Sequence, residues 1–468
     1  MRWALLLCVV AACGGNHDGN TIADGNGGGG DGHGGSGSGD GGVTSVDAAG
    51  PVGSFAAKRI CSGELQTCAI LSTGQVKCWG WNQYGQLGLG DTNDRGDAPD
   101  EMGAVLPAVS LGTGRTATEI ACGYQHTCAL LDDHSVKCWG DNASGQLGQG
   151  DTNRRGVALN QMGDNLPAID FGAGLVPVQV VATINSTCVR FSTGQVKCFG
   201  NGAAGQLGTG NMASLGDQAS EMGAALPFVD VGTGRTVKFL AGGFAVPTVC
   251  AILDTDQVKC WGANEYGQLG IGDAVSRGQV ANQMGDNLPF ADLATTHVDD
   301  LSISGTDACA IVSPSKMRCW GSGTFGALGN GASGNMGDGA NEMGGNLGSL
   351  PLTGTPRVIA VGSNFGCAAT TTGLYCWGED VSGELGIGST NDIGDAPGEV
   401  AALAPIPLGT TQDVAQLAPG GDHVCALFAD GSIRCWGNNE HGQLGMGSKV
   451  SWGNQPNQMG SALPVVSL

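Results

Sequence analysis

From residue 56 onward the chain alternates between short apolar runs and clusters of Gly, Asp, Asn and Ser. Residues 117–121, 127–131 and 135–139 show the rhythm: each run is about five residues long, rich in β-branched or apolar side chains, and bounded by turn formers, which is the pattern of strands. No stretch sustains a 3.6-residue period, so no long amphipathic helix is expected. A further apolar run at 106–111, followed by Gly112, Thr113, Gly114 and Arg115, brings each unit to four short strands.

The units repeat. Cys78-Trp79-Gly80 precedes Gly85-Gln86-Leu87-Gly88, and Cys138-Trp139-Gly140 precedes Gly145-Gln146-Leu147-Gly148. Later copies centre on Phe199, Trp261, Trp320, Trp377 and Trp436, drifting to Gly326-Ala327-Leu328-Gly329 in the fifth and Gly383-Glu384-Leu385-Gly386 in the sixth. Seven copies near a 60-residue period give the fold: four-stranded units repeated radially are blades of a β-propeller, where closing the ring protects sheet edges. The first repeat enters at its second strand, around 56–60, and the chain stops at 463–468, a first strand with nothing after it. The reading is therefore an all-β, seven-bladed propeller over residues 51–468, closed by pairing of the N- and C-terminal strands.

The stretch Trp139-Gly140-Asp141-Asn142 through Gly145-Gln146-Leu147-Gly148 to Gly150, preceded by Gly123-Tyr124-Gln125-His126-Thr127, resembles the motif of the regulator of chromosome condensation repeat family. The resemblance runs over roughly 52–468 and implies the propeller fold. The eponymous member's nucleotide exchange activity toward a nuclear GTPase depends on loops that nothing here matches, so fold does not carry function.

Eighteen cysteines is the count of a secreted protein. Fourteen form one pair per blade: Cys68/Cys78, Cys128/Cys138, Cys188/Cys198, Cys250/Cys260, Cys309/Cys319, Cys367/Cys376 and Cys425/Cys435. Six pairs are ten residues apart and Cys367/Cys376 nine, which places partners opposite each other around three-residue and two-residue turns. Facing strand positions lie within disulfide reach. Zinc is the rival reading, but its structural sites need four ligands each. Cys61 and Cys122 are read as matching positions in the second strands of the first two blades, either bridged between neighbours or two separate thiols.

The N-terminus reads as a targeting segment. Arg2, the short apolar run 4–10 and the ending Val10-Ala11-Ala12-Cys13 resemble a bacterial lipobox, so residues 1–13 are a signal peptide with Cys13 as the lipidated thiol. An ordinary cleaved secretory signal is the alternative. Residues 14–50, rich in Gly, Asp and Ser, are a flexible tether, and their His17 and His33 are weak metal ligands. The expected location is outside the cytoplasm, lipid-anchored to the cell envelope or secreted.

Composition narrows the partner. The chain holds 42 acidic against 20 basic residues, net −22, which opposes binding to nucleic acid. No catalytic constellation stands out and no cofactor or metal is expected. His126 and His423 sit at a repeat position that elsewhere carries Gln66, Ser186 or Asp307, so they read as strand-end hydrogen bonders. The loops at 90–94, 150–153 and 388–392 look calcium-like but lack the EF-hand spacing, and Asp, Asn and Gly are good turn formers. Arg95-Gly96-Asp97 spells an adhesion tripeptide by chance. The function expected is a non-catalytic, monomeric interaction scaffold at the envelope, presenting inserts such as 91–104 and 151–165 to a protein or glycan, with inhibition of an extracellular enzyme as a special case. The alternative is an envelope-acting lyase or hydrolase with its site at the propeller axis.

Overall fold

The computed structural model describes residues 56–243, 247–303 and 306–468. The expected leader, Cys13 and the tether lie outside the described residues. The described residues form seven antiparallel sheets of three strands each. In the first blade β1 (Ala57–Ser62) pairs with β2 (Gln66–Leu71), which pairs with β3 (Val76–Gly80). The second blade repeats this as β4 (Ala117–Cys122), β5 (His126–Leu131) and β6 (Val136–Gly140). First strands of successive blades pack side by side around the ring, so they are the inner strands. The middle strands are buried along their length, apart from Arg190 in the third blade, because each is flanked by a neighbouring blade on either side. That is why they read as nearly continuous apolar runs rather than alternating ones.

The segment over 106–111 is extended but joins no sheet. Val109 N–H donates to the Val76 carbonyl (2.8 Å), so this segment leans on the blade before it rather than opening the next. Ile169 on Val136 (2.9 Å) and Val229 on Val196 (2.9 Å) do the same in their blades. At the C-terminus Val466 N–H reaches Ile433 (2.9 Å), in the last blade itself. The expected pairing of the terminal strands is therefore not the contact made: the chain folds back on its own outer strand because that edge is the local one left open.

The seventh blade still meets the first, through the seam used elsewhere. Trp139 Nε1–H donates to the Gln86 carbonyl of the preceding blade (3.0 Å), and Trp261 to Gln206 (3.0 Å). Trp79 donates to Gln443 across the first and last blades (3.0 Å). The Trp of one blade thus reads the Gly-Gln-Leu-Gly turn of its neighbour. Gly88, at φ +69°, has no room for a side chain, since a Cβ would lie 2.7 Å from Trp139 Nε1. These indoles are fully buried, worth roughly 4–6 kcal/mol each at ~25 cal/mol/Å².

One register position of the inner strand clamps two of the seams between blades. In every blade the inner strand is irregular after its first residue, and the next paired position holds Arg59, Glu119, Gln179, Phe239, Asp300, Val358 or Gln416. The Gln179 amide accepts from Leu240 N–H (3.0 Å) and donates to the Leu240 carbonyl (2.9 Å) in the next blade. Gln416 makes the same pair with Ile60 (3.0 and 2.8 Å), joining the last blade to the first.

Candidate functional site

The register sets the hairpin cysteines opposite each other. Cys68 faces Cys78 and Cys367 faces Cys376, in both cases with Cα atoms 4.1 Å apart and sulfurs bonded. The remaining pairs, Cys128–Cys138, Cys188–Cys198, Cys250–Cys260, Cys309–Cys319 and Cys425–Cys435, are placed the same way. Cys61 is bonded to Cys122, across two blades. They are not at matching positions: Cys61 pairs opposite Cys68, whereas Ala121 pairs opposite Cys128 and Cys122 lies one residue further on. The offset is what lets them meet. Successive strand residues point to opposite faces, so matching positions would both look the same way around the ring. The sulfurs of Cys61, Cys68 and Cys122 lie within 4.8 Å of one another, stacking two disulfides in one seam.

Several motifs resolve into structural roles. His126 and His423 are fully buried, and their Nε2 atoms bond Thr187 (2.9 Å) and Thr67 (3.0 Å) of the following blade. Burial lowers their pKa to about 4 and about 3, so both are neutral. A Cβ at Gly123 would lie 2.3 Å from the His126 ring, which accounts for the glycine of the Gly-x-x-His step. In the calcium-like loops Asp91 pairs with Arg95 (2.6 Å) and Asp151 with Arg155 (2.8 Å). Asp97 pairs with Lys449 (2.9 Å), so both charges of the Arg-Gly-Asp triplet are engaged. Sequence reasoning passed over the lysine of Val-Lys-Cys-Trp: Lys137 Nζ donates to the Leu111 and Gly163 carbonyls (2.9 and 2.8 Å), pinning the insert to its blade. Its recurrence at one repeat position was the available signal.

Two concave places among the described residues stand out by volume. The first is a groove of 640 Å³ between the inserts of the sixth and seventh blades, lined by Ile387, Leu403, Pro405, Ile406, Pro456 and Met459. It is apolar because two proline-bearing inserts converge there. Its sixth-blade wall belongs to a stretch, between Arg357 and Arg434, that has nine Asp or Glu and no Lys or Arg; of these Asp380 and Glu384 are buried and Asp413 pairs with Arg357 (3.1 Å). Asp392, Asp395 and Asp413 are at least partly exposed in this sector, while Glu399 lines the groove and accepts from Gly394 and Ala396 N–H (2.8 and 3.0 Å).

The second is a cavity of 740 Å³ at the inner edge of the second to fifth blades, on the face carrying the turns between middle and outer strands. Four clamp-position residues line it: Glu119, Gln179, Phe239 and Asp300. Arg190, Lys238, Asp256, His297 and Asp299 surround them. Lys238 bonds Asp256, and His297 lies between Asp256 (3.0 Å) and Asp299 (2.9 Å), which raises the His297 pKa. Burial raises Glu119 and lifts Asp300 to about 6. Arg190 Nε donates to Gln179 (3.1 Å). In the sequence no catalytic constellation stands out, and this group was missed. Its members come from four blades and no motif joins them.

Among the described residues no helix is long and apolar enough to cross a membrane. The disulfides fit an extracellular or otherwise oxidising location.

Comparison with known proteins agrees with this architecture. The profile of the regulator of chromosome condensation (RCC1) repeat matches residues 58–86, 117–146 and 414–443, and a second profile of that repeat matches 73–130. The ultraviolet-B receptor UVR8 of Arabidopsis thaliana is 25% identical over 397 residues, 84% of this chain and 79% of that protein. The human E3 ubiquitin-protein ligase HERC2 is 28% identical over 387 residues, 82% of this chain but 7% of the ligase, so the chain corresponds to a small part of it. Among solved structures, Prp20p of Saccharomyces cerevisiae, studied for its binding to Gsp1p and histones, is 20% identical with a TM-score of 0.57, covering 88% of each chain, a likeness of fold. The chain carries regulator of chromosome condensation repeats within residues 58–146 and 414–443, as part of a ring of seven three-stranded blades.

Proposed function

We propose that the protein is an interaction scaffold at the cell envelope, exported and held there by a lipid on Cys13, and that the groove between the sixth and seventh blades docks a cationic, apolar-anchored segment of a partner protein. The observation that carries this reading is an apolar groove whose sixth-blade insert carries Asp392, Asp395 and Glu399, all at least partly exposed, and no Lys or Arg. Apolar burial would supply affinity there, and the acidic surroundings would supply selection and a fast encounter. Prp20p, which is similar in fold, has binding properties toward Gsp1p and histones. An extracellular enzyme with a basic surface is one partner of this kind, and its inhibition one outcome.

The test is capture from envelope extracts with the full chain as bait, followed by cross-linking mass spectrometry. Ile387→Lys, at an exposed position, removes an apolar contact and reverses the local charge. The expected result is a basic partner that cross-links around the groove, elutes at higher salt and is lost with Ile387→Lys. A partner retained equally by the variant, or no partner, refutes the reading.

A further inference from the structure

We propose that the cavity at the inner edge of the second to fifth blades binds a saccharide. Most of the charged groups around this space are already engaged with one another. Lys238 and His297 are held by Asp256 and Asp299, so those four charges balance among themselves. The Gln179 amide is taken up by Leu240 and Arg190. Three kinds of group are left facing the space. Arg190 uses only its Nε in the hydrogen bonds found among the described residues, which leaves its terminal nitrogens as donors. Glu119 accepts a backbone N–H from Val180 of the following blade, and Asp300 accepts from Leu301 (2.9 Å) and from Ile359 of the following blade; carboxylates have acceptor sites beyond these. Phe239, half-buried, presents an aromatic ring beside them.

A simple cation entering this space meets Arg190, and a simple anion meets Glu119 and Asp300. A neutral ligand dense in hydroxyls uses both signs at once: it donates to the carboxylates, accepts from the guanidinium, and lays the C–H face of its ring on Phe239. Ser192, Thr193 and Thr236 at the rim add hydroxyl groups of the same kind. The volume of 740 Å³ lies within the span of about 300–1,000 Å³ for small-molecule sites. The clamp geometry also explains why this end of the ring is specific. Equivalent positions elsewhere hold Arg59, whose charge acts on Glu119, Val358, which has no polar group, and Gln416, bound to Ile60 as Gln179 is to Leu240. The site is separate from the groove between the sixth and seventh blades, and either can fail alone.

The test is calorimetric titration of the full chain with glucose, galactose, N-acetylglucosamine and chitotriose, with glycine and lysine as ionic controls. At least one sugar is expected to saturate with Kd of ~1 mM or tighter. Phe239→Leu, which keeps apolar volume but removes the ring, and Arg190→Gln are each expected to weaken it by about tenfold, with thermal unfolding unchanged. Absence of saturable binding by all four sugars overturns the proposal. So does sugar binding that is indifferent to both variants, or binding of glycine or lysine as tight as that of any sugar.

Discussion

Glu384 occupies a place in the sixth blade that five other blades fill with Gln86, Gln146, Gln206, Gln268 and Gln443. Its carboxyl accepts from Val381 N–H (3.1 Å) and Ser382 N–H (2.6 Å), yet it is 1% exposed and lies near Asp380 and Asp422. Burial pushes its pKa up to about 9, with the two neighbouring acids adding to the rise. An unfolded glutamate titrates near ~4.3. Below that pH both states hold the proton and the group is neutral to folding. Above it the unfolded chain releases a proton that the native state retains, so stability falls as pH rises from ~4.3 toward 9. By pH 7 the loss reaches a ceiling of about 3–4 kcal/mol.

Glu384→Gln removes this term and adds a donor. In the second blade Gln146 Nε2 donates to Asp141 (3.0 Å), and the residue matching Asp141 in the sixth blade is Glu379. Relaxation around a buried charge commonly returns part of its cost, so the expected gain at pH 7 is about 2 kcal/mol, or about 2 °C in Tm for a chain of this size. Scanning calorimetry at pH 4.5, 6 and 7.5 reads the difference between variant and parent. The gap should be near zero at pH 4.5 and widen upward. A gap of constant size, or a less stable variant at pH 7.5, refutes the reasoning.

Replacing Cys61 and Cys122 together by alanine opens a loop of 61 residues, with an expected loss of ~4 kcal/mol in chemical unfolding, against ~2.7 kcal/mol for Cys128 and Cys138, whose separation is 10. Trp139→Phe removes one seam hydrogen bond and should cost about 1 kcal/mol by the same measurement, since Phe199 already serves in the third blade. Lys137→Met deprives the Leu111 and Gly163 carbonyls of their ammonium donor and should cost about 2 kcal/mol, with faster proteolysis of the insert as a second readout. Asp300, lifted to about 6 by burial, makes the parent lose stability as pH rises from ~4 to 6; Asp300→Asn should flatten that part of the thermal stability profile.

What the sequence determined by itself is local or periodic. The number of blades follows from seven copies of one motif. The facing of Cys68 and Cys78, or of Cys367 and Cys376, follows from turn length and the two-residue alternation of strands, which involve only a few neighbouring residues. The histidines at 126 and 423 were readable as structural because a repeat position that tolerates Gln and Ser asks only for hydrogen bonding. The tertiary structure decided everything that depends on how one blade faces the next. The C-terminal segment pairs within the last blade, because an open edge close in sequence is met before a distant one. Cys61 meets Cys122 through a one-residue offset that changes which face each sulfur takes. Glu119, Arg190, Phe239 and Asp300 converge only because the ring brings one register position of each inner strand, and its neighbours, to a common space. In the linear chain they stand some 50 to 70 residues apart with no shared pattern, and curvature of the ring, which no local rule encodes, makes them a site.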